Sequence, residues 1–128
     1  MKKLITAIRL LLAIALAIFG ADKFLHFMPR PDAPAQGQAF LAALGDAGYI
    51  FPIIGGAFLL SAALLLTKHI ALAVVILTPI TLNIILYHVR YDLAGIGPGA
   101  VIASMQLIML WTCRGQFITM IFASKIMR

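Results

Sequence analysis

The sequence predicts an all-α integral membrane protein: a four-helix bundle with a short interfacial helix in its first outer loop. Three observations predict this class. Of the 128 residues, 63% are hydrophobic and only 11% charged, against about 25% charged in an ordinary globular domain, so a chain of this size needs lipid as its solvent. The apolar residues fall into four runs, about 4–27, 49–67, 70–88 and 95–113, each near the roughly 20 residues that cross a hydrocarbon core about 30 Å thick. Strand-like alternation is absent, and a helix satisfies its own backbone groups where lipid cannot. Residues 1–128 read as one domain without an internal repeat, ending in a helical tail over 114–128.

The first run is interrupted by Arg9, and its unbroken part, 10–21, is only about 18 Å long at about 1.5 Å per residue. To span, Arg9 must snorkel at the inner interface and the helix must continue through Lys23 and His26, with Pro29 as the first breaker. Arg9 and the bulky Phe19 ahead of Ala21 argue against a cleaved leader. The first outer loop begins extended at Pro29, Pro31 and Pro34. It then forms a short helix, Gln36 to Leu44, whose Phe40, Leu41 and Leu44 share one face and which Gly45 caps. The second and third runs are joined only by Lys68-His69, which makes them an antiparallel hairpin. Pro79 should kink the third helix at or before Thr78, with Thr78 or Thr81 satisfying the freed backbone groups. After Cys113, the spacing of Phe117, Ile118, Ile121 and Phe122 predicts a fourth helix that extends past the membrane or lies on its inner leaflet.

Charge sets the topology. Lys2, Lys3, Arg9, Lys68, Arg114, Lys125 and Arg128 fall on one side, and Lys23, Arg30 and Arg90 on the other. The positive-inside rule then puts both termini in the cytoplasm. The formal charge is +6, but no basic patch interleaved with aromatics points to nucleic acid. The single cysteine, Cys113, excludes an internal disulfide and a cysteine-built metal cluster. No phosphate loop, zinc spacing or nucleophile elbow appears, so no catalytic residue is assigned and independent catalysis is not expected.

Small residues mark packing faces: Ala13, Ala17 and Ala21 on the first helix, Ala57 and Ser61 on the second, Gly99 and Ala103 on the fourth. The polar residues inside apolar runs are the candidate site. Asn83 sits within "LTPITLNIILY" and should face the bundle. Lys23, His26, Asn83, Tyr87 and His88 share a depth near the outer boundary, and Gln106 lies near mid-depth. A polar track from the outer mouth to Gln106 is therefore expected, roofed by the loop helix, with Gly55 and Gly56 leaving room opposite. Lys23 and Arg90 as interface anchors, and Asn83 and Gln106 as interhelical glue, are the plainer alternatives. Two histidines alone are weak evidence for a metal, and none is assigned.

At "FGADKFLHFMPRP", "GYIFPIIGGAFLLSAALLL" and "LTPITLNIILYHVRYDLAGIGP" the chain resembles the DoxX-like family of small bacterial membrane proteins, over roughly residues 11–117. The motif residues are Gly20, Lys23 and Phe24; Gly48, Tyr49 and Pro52; and Asn83, Ile84 and His88. The resemblance implies a bacterial inner-membrane protein associated with quinol-oxidising, thiosulfate:quinone or oxidative-stress complexes. Relatives often carry a Glu in span two and another in span four; Phe58 and Gln106 hold those places here, and neither relays a proton. The expected role is an accessory subunit or binder of a small hydrophobic ligand, a quinone or lipid. The expected partners are the bilayer and other membrane subunits or further copies of the chain. The alternative is a structural or assembly partner of another membrane protein with no ligand of its own.

Overall fold

The computed structural model describes residues 1–30 and 32–126. Among these there are six α-helices and no strand: α1 (Lys2–Leu25), α2 (Ala35–Asp46), α3 (Ile50–Leu65), α4 (Ile70–Tyr91), α5 (Gly97–Thr112) and α6 (Arg114–Ile126), with a short 3₁₀ turn at Leu93–Gly95 before α5. α1 and α4, of 24 and 22 residues, are long and apolar enough to cross a membrane. As many as four spans result if α2 with α3, bent by 86°, and α5 with α6, bent by 55°, each count as one.

Packing runs from α1 to α3, from α3 to α4, from α4 to α5, and from α5 back to α1. The core inside this ring is Leu12 and Leu16 of α1, Phe58 and Leu65 of α3, Val74 and Leu77 of α4, and Met109 of α5. The outer faces are also apolar. Ile14 of α1 is 57% exposed, Leu82 of α4 57% and Leu107 of α5 64%. Large aliphatic side chains facing outward on three helices of the ring form a surface that water would not tolerate.

The tightest seam is between α1 and α3. A Cβ placed on Gly20 would lie 3.0 Å from the Gly55 carbonyl oxygen, and one on Gly55 would lie 2.8 Å from Lys23 Cβ and from the Phe24 ring. The helices meet backbone to backbone there, as small residues permit. This corrects the expectation that Gly55 leaves space for a ligand: Lys23 and Phe24 fill it. Gly56, one position on, has nothing within 4 Å of such a Cβ.

Two further expectations are corrected. α2 runs through Gly45, the expected cap, and ends at Asp46 with Ala47 as its C-cap. α1 stops at Leu25, ahead of Pro29. His26 adopts the left-handed conformation (φ 52°), its N–H donates to the Asp22 carbonyl, and the Asp22 carboxylate accepts the Met28 N–H at 2.7 Å. The left-handed turn at His26 thus ends the helix, and the Asp22 carboxylate holds the segment that follows through the Met28 N–H. α4 is one continuous helix through Pro79, and the Thr78 hydroxyl donates to the Val74 carbonyl at 2.7 Å. The helix expected after Cys113 is present as α6; of the two courses expected for it, a straight continuation of α5 is not the one taken, since α6 turns away by 55° at the buried Cys113.

Candidate functional site

The structure divides the expected polar track into two centres. The first is aromatic. α2 packs against α3 and α4 near Phe51 and Tyr87. Gly37 lets it approach α4, since a Cβ there would lie 2.8 Å from the Tyr87 hydroxyl. Phe40 stacks on Tyr87 at 5.7 Å and on Tyr91 at 5.4 Å between ring centroids. Phe40 on the apolar face of the loop helix is the residue that fastens it to α4. Beneath it the Tyr87 hydroxyl is buried without a hydrogen-bond partner.

His88 packs edge-on against Tyr87 at 5.1 Å and turns its Nδ1 toward Asp92, 3.2 Å from the carbonyl and 3.7 Å from the carboxylate. Asp92 is only 7% exposed, a buried acid that sequence reasoning passed over. Its place between a helix end and the Gly95 and Gly97 turn was the available signal. Lys23 lies at the other edge of the outer end, half-buried, with its ammonium 5.6 Å from the centre of the Phe51 ring. That contact joins α1 to the start of α3. His26 is exposed in the turn after α1.

Asn83 does not face the bundle: it is exposed on α4 and makes no side-chain hydrogen bond. The residues that turn inward from this helix are Thr81, Leu77, Val74 and Ala73, and Asn83 lies off their stripe. With Asn83 outside, and about 10 Å of helix between Thr81 and His88 at about 1.5 Å per residue, the track from the outer mouth to mid-depth is interrupted.

The second centre is Gln106, 6% exposed, between α4 and α5. Its Oε1 accepts from the Thr81 hydroxyl at 2.5 Å, and its Nε2 donates to Thr78 Oγ1 at 3.2 Å and toward the Val74 carbonyl at 3.4 Å. Thr78 and Thr81 are three apart on one helix face, so one amide reaches both. Sequence reasoning gave these threonines only a backbone role; their i, i+3 spacing opposite a buried Gln was the signal for a network. α4 and α5 meet closely toward the outer end, where a Cβ on Gly99 would lie 3.1 Å from Ile84. Next to the network they part. The groove there has a volume of about 220 Å³ and is walled by Leu82, Ile85, Ala103, Leu107 and Leu110, with Thr78, Thr81 and Gln106 among its lining. A wider hollow of about 550 Å³ lies between α5 and α6, lined by residues such as Thr112, Gln116 and Met120. Its walls come only from the two arms of the 55° bend, so it is the concave side of a corner and not an enclosed site.

Among the described residues, no three His, Cys, Asp or Glu side chains come together as metal ligands. No protein-family model, curated protein or solved structure matches the chain.

Proposed function

We propose that this chain is a four-span, DoxX-like protein of a bacterial inner membrane that holds a small hydrophobic ligand in the groove between α4 and α5. In this reading it serves as an accessory subunit of a redox-linked membrane complex. α1, α3, α4 and α5 are the spans, α2 lies along the outer interface and α6 along the inner one. Seven inner against three outer basic residues keep both termini cytoplasmic. A reporter fused after residue 128 should be active only in the cytoplasm; periplasmic activity would overturn this orientation.

One observation carries the ligand reading: a groove with aliphatic walls has a buried amide and two threonines in its lining. Ligand sites for apolar molecules have this makeup, an apolar slot with few polar groups that fix orientation. A volume of about 220 Å³ is below the roughly 300 Å³ at which drug-sized sites begin. It suits the ring or head of a longer molecule, such as a quinone-like one, whose tail remains in lipid. Native mass spectrometry of the purified protein tests this. The wild type should carry a bound molecule that Ala103→Phe, which fills the groove without touching the hydrogen bonds, should lose. Equal retention by both proteins refutes the site.

A second reading has its own support. The amide and both threonines are already paired with one another, as they would be if the network only fastens α5 to α4 and the protein acts as a structural partner. Loss of partner subunits from Gln106→Leu, with no ligand lost from Ala103→Phe, would favour it.

A further inference from the structure

We infer that the outward face of α4 is a contact between two copies of this chain, closed by hydrogen bonds between their Asn83 amides. The inference is independent of the groove reading. Thr81, which lines the groove, lies about 160° around α4 from Asn83 at about 3.6 residues per turn. Depth is the first observation. α4 is long and apolar enough to cross a membrane. Asn83 lies about 12 Å along it from Tyr91 and about 20 Å from Ile70, at about 1.5 Å per residue. A lysine snorkels out of a hydrocarbon core about 30 Å thick; an asparagine, with two rotatable bonds, does not reach the edge from this depth.

The helix itself cannot satisfy this amide. Ser104 and Thr112 of α5 are also exposed, and they donate to the Ala100 and Ile108 carbonyls of their own helix, each at 2.8 Å. That uses the one hydrogen a hydroxyl has. Asn83 makes no such bond among the described residues. If it made one, its carbonyl oxygen would still lack a donor, because the backbone N–H groups of a helix interior are already used. A polar group left unmet in hydrocarbon is costly. A second surface must therefore bring both a donor and an acceptor to this depth.

A second copy does so by construction. Every copy inserts in the same orientation, so a twofold axis along the membrane normal sets each residue of α4 opposite its own counterpart. An amide is self-complementary: each Nδ2 donates to the other's Oδ1, and two reciprocal bonds form. Another membrane protein meets the requirement only if it carries such a group at the same depth. The face around Asn83 suits a helix pair. Leu72, Pro79 and Leu86 fall within about 60° of it, at about 3.6 residues per turn, and all are exposed. One asparagine in such an apolar seam also fixes its register. Arg90 ends the stripe, stacked on its own Tyr91 ring at 5.1 Å, near the helix end where water and headgroups solvate it.

The contact lies between chains, so Asn83→Leu keeps the fold of a single chain, as far-UV circular dichroism should confirm. Association of the full-length protein is measured by sedimentation equilibrium in density-matched micelles. The wild type should dimerise, and Asn83→Leu should raise the dimer Kd about tenfold, the ratio that one or two interhelical hydrogen bonds supply. Disulfide formation in liposomes then locates the face, in a Cys113→Ser background. Leu86→Cys should cross-link, and should lose this when Asn83→Leu is added. Ile14→Cys, as exposed on α1, should not cross-link. Equal dimer Kd values for wild type and Asn83→Leu, or equal cross-linking at Leu86 and Ile14, overturn the inference. So does a wild type that stays monomeric at every concentration. A monomer whose native mass spectrum keeps a lipid that Asn83→Leu loses overturns it too, and gives the amide to that lipid.

Discussion

The α1–α3 seam and the α4–α5 seam use similar residues to opposite ends. Each is marked by small side chains, Gly20 against Gly55 in the first and Gly99 with Ala103 in the second. At α1–α3 the glycines bring two backbones into contact. At α4–α5 only the outer end closes. Farther in, a long amide must be housed together with the two threonines it binds, and a groove opens beside them. A small-residue stripe permits close approach; what lies opposite it decides whether the seam closes or becomes a slot.

The contrast is broken most severely at Gly55. Gly55→Val would drive a branched side chain into Lys23 and Phe24, 2.8 Å from the first added carbon. It should cost about 2–3 kcal/mol of stability as overpacking, read by titrating the protein with SDS in mixed micelles and following far-UV circular dichroism. The neighbouring Gly56→Val, with open space around it, should fall within about 0.5 kcal/mol of wild type. Equal losses at the two positions would mean that the glycines matter for something other than the seam.

Gln106→Leu comes next, at about 1–2 kcal/mol, because it removes three hydrogen bonds yet interhelical bonds in membranes average well under what their count suggests. Adding Thr81→Val should cost less than it does alone, since its partner is already gone. Strict additivity in that double-mutant cycle would sever the proposed coupling.

Ser61→Ala should leave stability unchanged or raise it by up to about 1 kcal/mol, because it removes a buried hydroxyl that has no partner. A clear loss would reveal a hydrogen bond made by this hydroxyl. Smallest of all is Asn83→Leu, expected within about 0.5 kcal/mol since the side chain is exposed and unbonded. A loss above about 1 kcal/mol would bring Asn83 back into the bundle.

Much of the architecture was legible in the sequence. Run length gave the four helices of the ring and the tail, Pro34 and the apolar face of Phe40, Leu41 and Leu44 gave α2, and Lys68-His69 gave the hairpin. The site was less legible, for physical reasons. Helical periodicity locates a residue along an axis, but its rotation is fixed by neighbours, so Asn83 and Thr81, two positions apart, exchanged the roles their polarity suggested. Glycine signals a short side chain without saying whether a ligand or another helix takes the space, as Gly55 shows. The end of α1 turned on the left-handed turn at His26, which came before a proline signal farther along. Gln106 was recognisable as a buried polar residue at mid-depth; its partners required knowing which face of α4 it meets.

The central claim, that one groove on this apolar surface is a ligand site, is tested most directly by photolabelling with a quinone whose alkyl tail carries a diazirine, followed by peptide mapping in nanodiscs. A ligand seated at Gln106 predicts saturable labels confined to Leu82 and Ile85 on α4 and to Ala103, Leu107 and Leu110 on α5, and absent from Ala103→Phe. Labels spread equally over the exposed faces of α1 and α3, or unchanged by that substitution, would contradict it.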